Sequence, residues 1–286
     1  MQELVSYYCN TFNRVHLLKN LLLSFEKCNV YEPYEWIITD YGSTDGTRDF
    51  LNDYAKEHKE FTVVLGSENH YADYLQRNGV KTANKKLMYA VMGMSRNVAL
   101  QLSRGKLLVE IADDHQFIRK GDWVGEAKKI LDFHSDVSSV IYRGLAKHRL
   151  AKPNNARSEC KCIDNTEYYL SNIKGYDDYH ITDRDVHNRI GRYAQPELLS
   201  ADKLRRWNDE QFTHYIDYLE RANALGFQKA FLRYPYAVDF PNTSHLQLKH
   251  MERKDGELII PLVTLEEMKK CFSHTDPVSS DEIFTL

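Results

Sequence analysis

Short apolar runs alternate with segments of helical periodicity along the first part of the chain, and this alternation limits the possible folds. Leu4–Cys9 predicts a buried strand, and the leucines after it recur at helical spacing as far as Phe25. Tyr34–Thr39, Phe61–Leu65 and Lys106–Ala112 predict further strands. Strands that alternate with helices favour a parallel sheet with right-handed crossovers. Ligands bind such sheets at the carboxyl ends of the strands, so the residues after each strand are the first candidates for a site.

The rest of the chain continues the alternation less regularly. Gly66–Gly93 predicts a long connection, of the kind that often serves as a lid or binding loop. The turn at 42–47 predicts the start of a helix that runs to about His58. Further helices are predicted at 94–104, 123–133, 202–207 and 210–225, and further strands at 137–142 and 227–238, the last as a strand pair or one bent strand.

The composition is that of a folded globular protein. Of the 286 residues, 42% are hydrophobic and 28% are charged, which suits one large α/β domain or a core with a smaller part attached. The net charge of −3 argues against a protein that binds nucleic acid mainly through phosphates. A basic run at 147–157 and lysines within 81–86 still leave an anionic ligand open, with a solvated loop as the alternative.

Cysteine usage and hydropathy bear on the compartment. The 5 cysteines are odd in number and scattered, which argues against a disulfide framework and favours a reducing compartment. No N-terminal segment resembles a signal peptide, and no apolar run reaches the roughly 18 residues that a membrane span needs. The expectation is a cytoplasmic protein with at most a peripheral association with a membrane.

Asp113, Asp114 and His115 follow directly after the fourth predicted strand. Two adjacent carboxylates repel each other and contribute nothing to an apolar core, so their place at the end of a buried strand needs a reason. A bound Mg²⁺ or Mn²⁺ would remove the repulsion, bridge a diphosphate and act as a Lewis acid on a leaving nucleotide. The alternative is a turn with solvated acids.

Two further polar side chains are candidates near the same strand ends. Asp40 ends the second strand, where its carboxylate could accept from a nucleobase imide or a ribose hydroxyl; the alternative is that it opens the following turn. That turn, 42–46, offers backbone N–H groups that favour an anion, and helix capping would explain it equally well. Arg96 could contact a donor phosphate or ribose, with a solvated arginine as the alternative.

These signals form an ordered series. Asn-Thr-Phe-Asn-Arg follows the first strand, Asp-x-Gly-Ser-Thr-Asp-Gly-Thr the second, Ser-Arg-Asn-x-Ala lies on a helix, and an Asp-Asp pair follows the next strand. Over roughly residues 3–120 the series resembles the family 2 glycosyltransferases of the GT-A fold. The resemblance implies an α/β fold with a mixed, mostly parallel central sheet flanked by helices and a smaller C-terminal acceptor-side region. It divides the chain into a nucleotide-sugar-binding core at 1–150, an acceptor-side and catalytic region at 151–272, and a flexible tail at 273–286.

The resemblance also implies roles for individual residues. Thr11 and Asp40 would hold the nucleotide base, Arg96 would lie near the ribose or diphosphate, and Asp113 with Asp114 would form a variant of the DXD motif. Asp114 is the expected direct metal ligand. His115 stands where the family often has another acid or Asn, which leaves the identity of the metal open.

The C-terminal half matches the family more thinly. Around Arg221 the family usually shows Glu-Asp-x-Asp-Leu, and this alignment places Asp217 on its second acid, whereas a shift of two residues would make Asp217 the usual base. An inverting transferase needs a base for the acceptor hydroxyl. Asp217 is the first candidate, followed by Glu210 and Asp209; an exposed helix acid is the alternative, and without a base a retaining mechanism stays open. His245 is a candidate third metal ligand, with a surface histidine as the alternative.

The function predicted on these grounds is metal-assisted transfer of a sugar from a nucleotide sugar, first of all a UDP-sugar, to a hydroxyl of a glycan or glycolipid. One alternative is a nucleotidyltransferase, although the loop after the first strand contains no glycine. Another is a non-catalytic sugar-binding module on a degenerate transferase fold. A third is glycosylation of modified nucleic acid.

Overall fold

The computed structural model describes residues 2–67, 76, 84–117, 119–144, 159–172, 179–195, 200–208, 214–234, 236–239, 252–254 and 257–259. Glu210, Asp209 and His245 lie outside these residues, as do the predicted tail at 273–286, the whole basic run at 147–157, and 81–83. The helices within this part of the chain are α1 (Val15–Cys28), α2 (Thr47–Glu57), α3 (Asn84–Leu102), α4 (Trp123–Phe133), α5 (Arg184–Ile190), α6 (Ala201–Asn208) and α7 (His214–Ala224).

The strands form one large sheet and two small ones. They are β1 (Val5–Thr11), β2 (Tyr34–Asp40), β3 (Phe61–Leu65), β4 (Leu107–Ala112), β5 (His115–Phe117), β6 (Val137–Ile141), β7 (Arg143–Gly144), β8 (Lys161–Ile163), β9 (Thr166–Asn172), β10 (His180–Asp183), β11 (Gln228–Leu232), β12 (Ala237–Asp239), β13 (Glu252–Lys254) and β14 (Glu257–Ile259). The 9-stranded sheet has the order β3-β2-β1-β4-β10-β6-β11-β9-β8. The small sheets are β5-β12-β7 and the hairpin β13-β14.

The large sheet is mixed, as the family resemblance implied. Strands β3, β2, β1 and β4 are parallel neighbours, and β6 is parallel to β11. Strand β10 joins these two groups and is antiparallel to both of its neighbours, and β9 is antiparallel to β11. The mixed sheet that the resemblance implied is therefore confirmed, while the alternation of strands and helices did not by itself indicate the antiparallel strands. Strands from both predicted regions of the chain lie in this one sheet.

Both faces of the sheet are covered, which explains the nearly continuous apolar sequence of its central strands. On one face the apolar stripes of α1 and α4 pack on β1 and β2, and Phe25 makes edge contacts 4.9 Å from the ring centroids of both Tyr7 and Trp36. Each such fully buried side chain contributes roughly 1.5–3 kcal/mol of transfer free energy. On the other face α3, α5 and α7 pack against Tyr8 and Leu108.

The structure corrects two predicted elements. Helix α3 begins at Asn84, so the end of the predicted 66–93 connection is helical. The helix predicted at 210–225 is described as α7 from His214, and 210–213 lie outside the described residues. The predicted strand or strand pair at 227–238 is two strands that belong to different sheets, since β11 pairs in the large sheet and β12 pairs with β5. None of the helices in the described part of the chain combines the length and apolar character that a membrane crossing requires.

Candidate active site

The carboxyl ends of three neighbouring strands bring the predicted residues together. The strand register places Thr11 opposite Asp40, and it places Asn10, one residue earlier, opposite Ala112. Asp113 and Asp114 follow Ala112 immediately, at the same edge of the sheet as Thr11. The sheet therefore gathers Thr11, Asp40 and the acid pair at one edge, where ligands of α/β proteins bind.

Asp113 and Asp114 are both buried, at 6% and 8% exposure. The alternative of a solvated turn is therefore wrong for this pair. One cation meets both carboxylates: Nη1 of Arg14 lies 2.9 Å from Oδ1 of Asp113 and 3.3 Å from Oδ2 of Asp114. Burial raises the pKa of the Asp113 carboxyl above its ordinary value, and the Arg14 guanidinium offsets part of that rise. The edge of the sheet thus holds two buried acids that form ion pairs with Arg14.

Asp40 opens the turn that follows β2. Its Oδ2 accepts from the backbone N–H of Gly42 at 2.8 Å and of Ser43 at 3.0 Å, and its Oδ1 accepts from the Ser43 hydroxyl. Nε of Arg48 lies 3.9 Å from Oδ2. These contacts agree with the predicted alternative, in which Asp40 opens the turn. A contact between Asp40 and a nucleobase stays a prediction.

The loops after β1 and β2 are fastened to each other. The backbone N–H of Asn13, a residue in the left-handed region at φ 52°, donates to the Ser43 hydroxyl at 2.8 Å. The Asn13 side chain in turn accepts from the backbone N–H of Thr44 at 2.7 Å. Asp45 accepts from the backbone N–H groups of Val15 and Thr47, each at 3.1 Å. The amides that were predicted to attract an anion therefore donate to side chains of the protein, as capping requires.

Arg96 lies in the interior and not in solvent. Its exposure is 1%, so the predicted alternative of a solvated arginine is wrong. Its Nε donates to the Glu110 carboxylate, and its Nη1 meets Nε2 of His214. Glu110 also accepts from the hydroxyls of Tyr193 at 2.9 Å and Tyr8 at 3.3 Å. These contacts hold α3, β4 and α7 together, and a contact between Arg96 and a donor stays a prediction.

The sequence analysis overlooked Glu110. It is the one acid within the apolar run of β4, and a charged residue inside a buried strand needs a partner. An acid in an apolar run and an arginine on the preceding helix were the signals from which a buried pair could have been predicted. The pairing of Glu110 with Arg96 itself depends on how α3 lies on the sheet.

Asp217 lies on the first turn of α7 and is buried, at 4% exposure. The alternative interpretation, that it is an exposed acid on a helix, is therefore wrong. Its Oδ1 accepts from the Lys203 ammonium, and its Oδ2 lies 2.9 Å from Nη2 of Arg221. Arg221 also donates to the backbone carbonyls of Ile190 and Arg192. These contacts tie α7 to α6 and to the end of α5, while a role as catalytic base stays a prediction.

His115 lies behind the acid pair with no exposed surface. Its Nδ1 is 3.3 Å from the hydroxyl of Tyr142, which donates to the backbone carbonyl of Glu110 at 2.8 Å. The His115 ring meets the Tyr179 ring edge-on, with the centroids 4.8 Å apart. The ring is thus held by one tyrosine that follows β6 and one that precedes β10.

The acid pair has the chemistry of an oxygen-donor cation site. Within the described residues no group of three His, Cys, Asp or Glu side chains is arranged to hold a metal ion. Two carboxylates are nevertheless a sufficient protein share for Mg²⁺, which commonly takes its other ligands from water and substrate phosphates. Arg14 shows that the pair accepts a cation, so Asp113 and Asp114 fit a divalent ion in company with a diphosphate.

Comparison with known proteins extends this reading. Residues 10–92 match the model of glycosyl transferase family 2. This part of the chain is therefore similar to the family 2 glycosyltransferases. The matched segment runs from the end of β1 into α3 and includes Asp40 and Arg14. A search of curated proteins finds no significant match.

Solved structures resemble the fold of this chain. The mannosyltransferase PcManGT from Pyrobaculum calidifontis, in complex with GDP-Man and Mn²⁺, is 16% identical with a TM-score of 0.53, and the match covers 85% of this chain and 59% of that one. S. aureus TarS is 17% identical with a TM-score of 0.51, covering 82% and 36%. GalNAc-T7 with UDP, GalNAc and Mn²⁺ is 10% identical with a TM-score of 0.53, covering 83% and 44%.

These comparisons confirm the GT-A fold, and the match at residues 10–92 agrees with the predicted family and enzyme class. The chain spans between 36% and 59% of the length of these three structures, so their likeness applies to the catalytic fold.

Proposed function

We propose that this glycosyltransferase domain transfers a sugar from a nucleoside diphosphate sugar to an acceptor hydroxyl, with a divalent cation held by Asp113 and Asp114. The observation that carries the proposal is the meeting of Thr11, Asp40 and the acid pair at the carboxyl edge of the sheet. This edge is built largely from the family 2 segment at 10–92.

The donor is proposed to be a UDP-sugar. Structures with a similar fold support a nucleotide sugar in general: TarS has been solved with UDP-GlcNAc, and PcManGT with GDP-Man. Thr11 and Asp40 are assigned to the base and Arg96 to the ribose or diphosphate. Because Asp40 is already fixed by the turn at Gly42 and Ser43, it would meet a base without having to reorient.

Asp113 and Asp114 would hold Mg²⁺ or Mn²⁺, which when bound would offset the negative charge that develops on the departing nucleoside diphosphate. Their burial assists this role because a dry site strengthens the attraction between the carboxylates and a cation. His245 is assigned as a further ligand.

The acceptor is proposed to be a hydroxyl of a glycan or glycolipid. The hydroxyl oxygen bonds to the anomeric carbon as the bond to the diphosphate breaks, and its proton passes to a base. Asp217 and Glu210 are the candidate bases for an inverting reaction.

Incubating the protein with a panel of nucleotide sugars, with and without Mn²⁺, tests the proposal through release of the nucleoside diphosphate. Metal-dependent release from one nucleotide family, UDP-sugars first, is the expected result. Release of pyrophosphate from a nucleoside triphosphate would instead favour the nucleotidyltransferase. Binding of a sugar without any turnover would favour the non-catalytic module.

A further inference from the structure

Arg14 is the most exposed member of the cluster that it forms with the acid pair. Its side chain is 45% exposed, whereas those of Asp113 and Asp114 are 8% and 10% exposed. A single nitrogen, Nη1, reaches both carboxylates. The acids are fixed at the end of β4, so any rearrangement that separates the three charges has to move the arginine.

The backbone on either side of Arg14 is fastened. Asn13 donates through its N–H to the Ser43 hydroxyl, and Val15 donates through its N–H to Asp45. The long side chain of Arg14 can therefore leave the acids without a change in the loop. Because this side chain is partly exposed, an incoming diphosphate would offer it a second anionic partner.

We propose that Arg14 is the resident counter-cation of the Asp113–Asp114 pair and that a divalent cation binds there only by displacing it. The proposal rests on the proposed function in taking this pair as the metal site. Metal binding without a donor then costs the contacts between Arg14 and the two acids. With a donor bound, the diphosphate recovers them by accepting from the released guanidinium. Metal and nucleotide therefore bind cooperatively, with Arg14 as the coupling residue.

Titration of donor-free protein with Mn²⁺, followed through the free-ion signal in electron paramagnetic resonance, tests this competition. Arg14→Gln is expected to bind Mn²⁺ about five- to tenfold more tightly than the wild type, since a charged competitor has been removed. Arg104→Gln is the matched control: it removes an equal charge from a 76% exposed arginine paired with Glu35. Its affinity for Mn²⁺ is expected to stay unchanged.

A second titration measures the coupling. UDP is expected to tighten Mn²⁺ binding by a larger factor in the wild type than in Arg14→Gln. Circular dichroism checks that the variant is folded, and Arg14→Met, which keeps the aliphatic stem, takes its place if it is not. An unchanged or weaker affinity for Mn²⁺ in the variant overturns the proposal, and so does an absence of Mn²⁺ binding in both proteins.

Failure of this inference is distinct from failure of the proposed function. Metal-dependent donor turnover by the wild type, with no tightening in Arg14→Gln, would leave the transferase standing and remove Arg14 from metal control. Tighter Mn²⁺ binding in the variant, with no turnover of any donor, would support Arg14 as the counter-cation and contradict the proposed transferase activity.

Discussion

Arg96 and Glu110 form an ion pair in which neither side chain is more than 3% exposed. Water cannot solvate either charge, so each depends on the other and on the tyrosine hydroxyls and His214 around them. The pair lies on the face of the sheet covered by α3 and α7, two residues before the end of β4 and close below the acid pair.

Glu110→Gln is expected to lower the free energy of unfolding by about 3–5 kcal/mol, because it leaves the Arg96 cation buried without a carboxylate. Urea denaturation measures the loss. The double variant Glu110→Leu with Arg96→Met should recover most of it, since no buried charge remains. A single variant within about 1 kcal/mol of the wild type would show that the pair contributes little.

Asp114→Ala is expected to reduce donor turnover by at least about 100-fold while leaving the thermal midpoint nearly unchanged, because the acid serves the metal site and not the core. Release of nucleoside diphosphate and differential scanning fluorimetry measure the two effects. Asp53→Ala, which removes a 76% exposed acid, is the control. Activity like that of the wild type would refute the metal assignment.

Asp217→Asn separates two roles for the buried acid of α7. Loss of its ion pairs with Lys203 and Arg221 is expected to lower the thermal midpoint. A catalytic base would add a fall in kcat of about 100-fold or more with little change in KM for the donor. Lys203→Met breaks the same ion pair and keeps the carboxylate, so it should share the stability loss but not the fall in kcat. Equal kcat in both variants would make Asp217 purely structural.

His187 makes the fold sensitive to acid. Burial, with added repulsion from His180 and nearby arginines, lowers its pKa to about 4, and its Nδ1 lies 3.0 Å from the Tyr218 hydroxyl. The unfolded chain takes up a proton near pH 6.5, whereas the folded protein resists until about pH 4. Stability is therefore complete above pH 6.5 and is lost as the pH falls toward 4, by an amount on the order of 3 kcal/mol.

The variant His187→Asn is expected to flatten this dependence on pH, because asparagine does not titrate in the window. Urea denaturation at several values of pH measures the slope for the variant and the wild type. His16→Asn, at a half-buried position of α1, should keep the wild-type slope. An unaltered slope in His187→Asn would assign the acid sensitivity to other groups.

The elements that sequence predicted well are those whose signal is local. β2, β3 and α4 each carry a complete periodic pattern between clear turn residues, and the structure places them within a residue or so of the prediction. The acid pair and Asp40 were found for the same reason, since strand ends can be located from sequence. The common partner of Asp113 and Asp114 could not be predicted, because Arg14 meets Asp113 across about 100 residues of chain.

What sequence could not supply are the pairings between distant segments. The first turns of α3 contain polar and basic residues with no clear apolar stripe. β10 is only four residues long, and its antiparallel place between β4 and β6 depends on neighbours far away in sequence. Whether Asp217 lay in solvent or between two cations was likewise decided by α6, which is not adjacent to it in the chain.

The place of β10 sets an order for assembly. β1, β2 and β3 pair only with strands that end before residue 113, so this half of the sheet can form before the later strands are synthesised. β6 cannot pair at that stage, because both of its neighbours, β10 and β11, are synthesised later. Its apolar residues stay unpaired until His180–Asp183 arrives and joins the two halves. During synthesis, β6 is therefore the segment most in need of protection from association with other chains.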